Sequence, residues 1–453
     1  MIANIWLKAC FVLLSVFVFF GNSLGQNCEA APNEILLDLV NQADLPAVAA
    51  QYGLNPTPMG SVGVPPTYRM QITNGQTGCQ VAAAMQGDAR ISQKESNRKV
   101  KLLEKNDLDW TSGQSWSIGQ SWSIGGSAKG FNRQWFPDMI NLPQAHNIST
   151  GQNIIVAVLD TGIDLSHPAF AGKLVPGYDF VDNDNNPSEV GVLHQNPSYG
   201  HGTHVAGIIL LTAPNVRIMP LRVLDANGEG NLWKIKDAMV FAAQNGATVL
   251  NMSFGYPADL TPQSNTFIED MLGGSDDLPE PGEQTFPEFQ DKKLVVVAGA
   301  GNGGQIGNGS TYIYPAAERV ETDSNLLSVG ASTRYDKLWI YSTMGNASSG
   351  NERWVRTVAP GENIVSALPG GRYGVWSGTS MATPIVSGIV ALIKSVEPNL
   401  RTQEIIERLE ETGYGWDCQL PPRNIYMKTA RVDAYRALLN DTSNTPTQSA
   451  CQP

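Results

Sequence analysis

Two stretches limit the fold of this chain more than any other feature: Ile154-Ile155-Val156-Ala157-Val158-Leu159 and Leu294-Val295-Val296-Val297-Ala298 are unbroken apolar runs, each followed at once by Asp or Gly. A strand with one wet face alternates apolar and polar residues, so a continuous run predicts a strand covered on both faces. Further strands are predicted at 218–224, 248–253 and 326–331, and helices at 201–211, 232–244, 379–396 and 402–411. Strands alternating with helices in this way predict an α/β fold, a mostly parallel sheet sandwiched by helices. Ligand chemistry in such sheets gathers at the carboxyl ends of the strands.

The 453 residues exceed one domain, and the texture before 134 differs. Strand, helix, strand, helix, strand are predicted at 34–40, 45–52, 67–73, 78–91 and 98–103, a small α+β unit over 26–110. Ahead of it, Lys8 and the apolar run 9–20 read as an export signal covering 1–25, with cleavage after Gly25. The run is too short for a transmembrane helix, so the mature protein is expected outside the cytoplasm, free of membrane. Residues 111–133 form a Gly/Ser/Trp-rich linker holding a duplication, Gly113-Gln114-Ser115-Trp116-Ser117-Ile118 and Gly119-Gln120-Ser121-Trp122-Ser123-Ile124. It is a flexible connection or a docking strand. The catalytic-size unit is 134–441 and a polar tail is 442–453. A long connection rich in acid and proline (Asp276, Asp277, Glu280, Pro281, Glu283) reads as a surface loop.

Net charge is −12, which excludes nucleic acid as an expected partner. A local exception, Arg90, Lys94, Arg98, Lys99, Lys101 and Lys105, is either a docking surface for the acidic remainder or a solvated face. Removing Cys10 with the signal leaves Cys28, Cys79, Cys418 and Cys451, an even number. Of three pairings, sequence neighbourhood favours Cys28–Cys79 and Cys418–Cys451.

Glycine-flanked segments stand where strands hand over to helices: Asp160-Thr161-Gly162-Ile163-Asp164, Gly200-His201-Gly202-Thr203-His204-Val205-Ala206-Gly207 and Gly378-Thr379-Ser380-Met381-Ala382. They supply a carboxylate, an imidazole and a hydroxyl. A serine hydroxyl becomes a nucleophile when a base takes its proton, and a buried carboxylate holds that base in the required tautomer. Gly299-Ala300-Gly301-Asn302, following a strand, offers an amide for a developing oxyanion.

These segments, in this order, closely resemble the subtilisin-like serine proteases over about 134–440. The resemblance implies Asp160 as orienting acid, His201 as general base, Ser380 as nucleophile and Asn302 as oxyanion donor; His204, three residues after His201 on the same helix, reads as a structural histidine. It implies strand addition of extended protein or peptide substrate along Gly230 on one side and Ser253, Phe254 and Gly255 on the other. Gly299, Ala300 and Gly301 would wall the primary pocket, which Ile313 before Tyr314-Pro315 is expected to make shallow. The amino-terminal unit resembles the family's propeptide, a folding assistant and intramolecular inhibitor removed by cleavage between Lys105 and Arg133. The expectation is therefore a secreted, monomeric serine endopeptidase made as an autoprocessed zymogen, with no cofactor in catalysis. Asp179, Asp182 and Asp184 are closely spaced oxygen donors of the kind calcium takes, or Asx turns.

Overall fold

The computed structural model describes residues 30–102, 122–124, 126–193, 195–257, 268–272, 289, 293–303, 313–317, 324–343, 354–420 and 425–443. The expected export signal with Cys10, Cys28, the first copy of the duplication, most of the acidic connection, Cys451 and most of the tail lie outside the described residues.

The amino-terminal unit runs β1 (Ala30–Leu39), α1 (Leu45–Tyr52), β2 (Gly60–Val62), β3 (Thr67–Gln71), α2 (Gly78–Ala84) and β4 (Ile91–Leu102), its strands antiparallel in the order β4-β1-β3-β2. Alternation along β1 serves two masters. Ile35, Leu37 and Leu39 pack on Val48, Ala49 and Val81 of the unit's own helices, whereas Leu36, with Val62 and Val100, turns to Trp233 of the larger unit. Helix α2 starts at a reciprocal cap: Thr77 Oγ1 accepts from Gln80 N and Gln80 Oε1 accepts from Thr77 N. It stops earlier than expected and β4 begins earlier, because Glu95, Ser96 and Asn97 are buried polar residues that break the apolar pattern of a strand.

Trp122–Ile124, from the second copy of the duplication, is an edge strand, β5. The large unit then contains β6 (Ile155–Asp160), β7 (Tyr178–Asp179), α3 (His201–Thr212), β8 (Arg217–Arg222), β9 (Glu229–Asn231), α4 (Leu232–Gln244), β10 (Val249–Met252), β11 (Phe254–Pro257), β12 (Val295–Gly299) and β13 (Ile313–Tyr314). After these come β14 (Leu326–Ser332), β15 (Thr357–Pro360), β16 (Ile364–Leu368), β17 (Arg372–Trp376), α5 (Thr379–Val396), α6 (Thr402–Thr412), β18 (Tyr414–Leu420) and β19 (Ile425–Arg431).

The central sheet has nine strands in the order β18-β19-β15-β14-β12-β10-β6-β8-β7, parallel except for the β18–β19 pair. Successive residues of its apolar runs face opposite cores, as the runs predict. Val156, Val158, Val295 and Val297 pack under α3 and α5; Ala157, Leu159, Val296 and Ala298 pack under α4. Burying each Val or Leu side chain among these contributes roughly 1.5–3 kcal/mol. Among the described residues Thr379–Val396 is the helix long and apolar enough to cross a membrane, and 89% of it is buried in the core. The β16–β17 hairpin was not anticipated, and β5 extends it, with Trp122 opposite Trp376.

Candidate active site

Asp160 closes β6 at its carboxyl end and His201 opens α3. His201 Nδ1 and Asp160 Oδ1 are 2.8 Å apart, both side chains buried. Asp160 Oδ1 also accepts from Thr161 N at 2.8 Å. The approach of helix to strand needs glycine after His201: a Cβ on Gly202 would lie 2.2 Å from Gly162 O and 3.0 Å from Asp160 Cβ. The Trp376 indole backs the His201 ring. It stacks on His204 at 5.0 Å and 14°, and its centroid lies 5.1 Å from that of His201. His204 is buried with Nε2 3.3 Å from Gly374 O, and burial foremost, then the His201 charge, pushes it down to about 3. It stays a neutral structural ring.

Ser380 is the second residue of α5, where free backbone N–H groups favour negative charge. Its Oγ donates to Ser253 O at 3.0 Å, and Ser253 Oγ donates to Ser380 O at 3.1 Å, so the serine is tied to the segment entering β11. Asn302 Oδ1 accepts from Thr379 N at 2.9 Å and from Thr379 Oγ1 at 3.1 Å. Thr379 Oγ1 in turn accepts from Gly301 N at 3.1 Å. With its oxygen held by Thr379, the Asn302 amide has its NH₂ as the end able to donate. Helices α3 and α5 pack against each other, which brings the strand-end carboxylate and imidazole to the same side of the sheet as the serine.

The expected strand-addition edges hold a strand of this chain itself. On one side β4 pairs with β9, Lys99 opposite Asn231, Val100 opposite Gly230 and Lys101 opposite Glu229. On the other it pairs with β11, Leu102 opposite Phe254 and Lys101 opposite Gly255. Lys99 and Lys101 Nζ lie 3.7 and 3.9 Å from Glu229 carboxylate oxygens, exposed pairs worth little each. Buried polar contacts add more: Lys236 Nζ donates to Thr67 Oγ1 at 2.7 Å, and Asn97 Oδ1 accepts from Trp233 N at 3.1 Å. Gly299 ends β12, Ala300 N donates to Val329 O, and Gly301 has φ +100° with Ile313 over it, such that a Cβ there would meet Ile313 Cγ1 at 2.8 Å.

The three carboxylates read for calcium, Asp179, Asp182 and Asp184, have protein partners. Among the described residues no group of three or more His, Cys, Asp or Glu side chains converges as a metal site. Asp179 Oδ2 and Asp182 Oδ2 both accept from Arg222 Nη1, at 2.6 and 2.5 Å, and the other Asp179 oxygen takes Val181 N and Asp182 N. Asp184 Oδ1 takes Asn186 N, an Asx turn. The cation met by Asp179 and Asp182 is the Arg222 guanidinium.

Thr161, Glu189, Thr379 and Trp376 were not singled out in the sequence. Thr161 and Thr379 stood inside the glycine-flanked segments and were legible as neighbours of Asp160 and Ser380. Glu189 and Trp376 carried no local signal; long-range packing makes them relevant.

Residues 151–445 match the model of the subtilase family. The chain is 38% identical over 300 residues to a thermophilic serine proteinase of Bacillus sp. (strain AK1), covering 64% of this chain and 62% of that protein. It is 33% identical over 322 residues to thermitase of Thermoactinomyces vulgaris, covering 68% and 96%. The fold of fervidolysin from Fervidobacterium pennivorans, a keratinolytic enzyme related to subtilisin, superposes with TM-score 0.64 at 23% identity over 93% of this chain and 63% of that one. This match in fold takes in both units, while the matched region spans less than two thirds of the Bacillus proteinase. The ordered segments around Asp160, His201, Asn302 and Ser380, the parallel sheet that carries them and the family match over most of the chain lead to one conclusion: this chain belongs to the subtilase family of subtilisin-like serine proteases.

Proposed function

We propose that the chain is a secreted serine endopeptidase that hydrolyses protein or peptide substrates through an acyl-enzyme, made as a zymogen that processes itself. The observation that carries this is the Asp160–His201 hydrogen bond of 2.8 Å on the same sheet rim as Ser380 and Asn302. In the proposed reaction His201 takes the Ser380 proton as Oγ attacks the scissile carbonyl. Asp160 holds the ring and stabilises the imidazolium. The Ser380 backbone N–H and the Asn302 NH₂ receive the oxyanion. Collapse expels the amine with the proton from His201, and water then releases the acid by the same steps in reverse.

Substrate is read as a strand between β9 and β11, where β4 lies in this chain. That placement supports the amino-terminal unit as intramolecular inhibitor. Leu102 ends β4 opposite Phe254, next to the Ser253 carbonyl that accepts from Ser380 Oγ, so the end of β4 stands beside the proposed nucleophile. Cleavage between Lys105 and Arg133 is consistent with that position. Export is supported by Lys8 with the apolar run 9–20 and by Cys79, which is disulfide-bonded, its proposed partner being Cys28. The mature enzyme is read as a monomer that needs no cofactor for catalysis. Labelling with a fluorophosphonate tests the reading: wild type is labelled at Ser380 and Ser380→Ala is not. Wild type unlabelled and without peptide turnover refutes it.

A further inference from the structure

Glu189 lies in the loop between β7 and α3, in none of the motifs. Its Oε1 accepts from Thr161 Oγ1 at 2.6 Å, and its Oε2 accepts from Thr203 Oγ1 at 2.8 Å and from Thr203 N at 3.3 Å. Thr161 follows Asp160 in the chain, and Thr203 lies two residues after His201 in the first turn of α3. The same hydroxyls close the circuit. Thr161 Oγ1 accepts from Gly202 N at 3.0 Å, Thr203 Oγ1 accepts from Asp164 N at 3.0 Å, and Glu189 N donates to Ile163 O at 3.1 Å. One carboxylate thus grips the strand end that carries the acid and the helix turn that carries the base. Both of its oxygens are used as acceptors, a role that a carboxylate fills and a carboxamide fills on one side only.

We propose that Glu189 is a positioning residue for the Asp160–His201 pair, its ionised carboxylate clamping Thr161 to Thr203. The proposal rests on the protease reading given above. A simple loop anchor would have contacts to one element; Glu189 joins exactly the two whose separation sets the Asp160–His201 distance.

A titration goes with the clamp. Glu189 is partly exposed as a residue, yet desolvation of its carboxyl pushes it up to about 7, against hydrogen bonds from Thr161, Thr203 and the Gly200 backbone, with the Asp160 charge pushing the same way as burial. The other charged and titratable groups around this cluster are Asp160 at the end of β6, Tyr199 and, about Tyr199, Asp164 and Arg372 of β17. Below about pH 7 Glu189 takes up a proton and one of its oxygens becomes a donor, so one arm of the clamp must reverse its hydrogen bond, although the neutral form is the one that burial favours.

The test uses the full chain as processed by the producing cell, a chromogenic peptide, and kcat and KM measured separately from pH 5 to 9. Glu189→Gln is expected to lower kcat about 10- to 100-fold, the scale of a small misplacement of catalytic groups, with KM little changed. It should also change the kcat–pH profile, which Glu189→Asp partly restores together with kcat. A folded Glu189→Gln with wild-type kcat and pH profile overturns the proposal. Should that variant not fold, Thr161→Val, which removes one arm of the clamp and leaves every charge, must lower kcat at unchanged KM; wild-type kcat in it overturns the proposal equally. The low-field proton resonance shared by Asp160 and His201 reads positioning without turnover: it must move or broaden in Glu189→Gln, and an unmoved signal overturns the clamp. A wild-type chain without peptide turnover strikes the protease reading instead, and the resonance still decides on Glu189.

Discussion

Thr379 N donates to Asn302 Oδ1 across 2.9 Å, one residue before the serine proposed as nucleophile. The contact orients the Asn302 amide and ties the loop after β12 to the first turn of α5, so the two proposed oxyanion donors, Asn302 NH₂ and Ser380 N–H, are set by one threonine. Asn302→Ala should reduce kcat by about 10²–10³-fold, the loss established for the corresponding donor in subtilisin itself, with little change in KM. Kinetics on a chromogenic peptide check this. A loss confined to KM would show that Asn302 binds substrate rather than the oxyanion.

Asp160→Asn keeps the shape of the carboxylate but presents an NH₂ or an uncharged oxygen to His201 Nδ1. Turnover should fall about 10⁴-fold because the tautomer is no longer specified and the imidazolium is no longer stabilised. Fluorophosphonate labelling of Ser380 should slow in parallel while the melting temperature stays close to that of wild type. Full activity in this variant would remove Asp160 from the mechanism.

Ile313 packs over Gly301 at the wall of the proposed primary pocket. Ile313→Gly should open it, raising kcat/KM for bulky P1 residues relative to alanine by about 10-fold or more, the scale of a few methylenes of pocket space. A peptide library read by mass spectrometry on both proteins measures the shift. Wild type already preferring bulky P1 residues would contradict the shallow pocket.

His204 and Glu189 impose opposite pH dependences on stability. His204 sits near 3 when folded and about 6.5 unfolded, so the unfolded chain binds more protons between these values and stability falls as pH drops below 6.5. Glu189 sits near 7 when folded against 4.5 unfolded, so its neutral form stabilises at low pH and that stability is lost as pH rises from about 4.5 through 7. Each group alone contributes a slope of at most about 1.4 kcal/mol per pH unit. Glu189→Gln should therefore steepen acid destabilisation between pH 4.5 and 6.5, measured as unfolding free energy in urea, and His204→Gln should flatten it.

Lys236 Nζ reaches Thr67 Oγ1 at 2.7 Å, both side chains fully buried where the two units meet. Thr67→Val removes an acceptor from a buried ammonium, at a cost of about 1–3 kcal/mol. In a full-length Ser380→Ala chain, which blocks the proposed self-processing, hydrogen exchange of the β4 amides should then quicken about tenfold or more, since about 1.4 kcal/mol is tenfold. Unchanged exchange would mean that the contact contributes nothing to docking.

The doubly apolar runs of β6 and β12 made the parallel sheet legible, because a strand buried on both faces has no polar residues to hide its period. Leu232–Gln244 and Thr379–Val396 ran to the residues expected, as their apolar spacing and bounding Gly or Asn implied. β4 was seen only at its end because Glu95 and Asn97, polar yet buried, satisfy partners elsewhere: Asn97 receives Trp233 N and donates to Glu34. β16 and β17 are short, and what defines them is mutual pairing plus β5 from far upstream. The acidic loop 179–184 displayed three carboxylates but not the cation that meets Asp179 and Asp182, since Arg222 stands 43 residues beyond Asp179.

By itself the sequence determined which chemistry was on offer and where along the chain: a carboxylate, an imidazole, an amide and a hydroxyl, each beside the glycine that lets backbone come close. Side-chain chemistry and local conformational freedom are properties of a few adjacent residues, so they can be read in one dimension. Which groups meet was decided only by the tertiary structure: Asp160 with His201, Asn302 with Thr379, Arg222 with Asp179 and Asp182, and Glu189 with Thr161 after β6 and Thr203 in the first turn of α3. Those pairings depend on distances across a packed sheet between residues tens to hundreds apart in sequence, where burial removes competing water and leaves each polar group to the partner within reach.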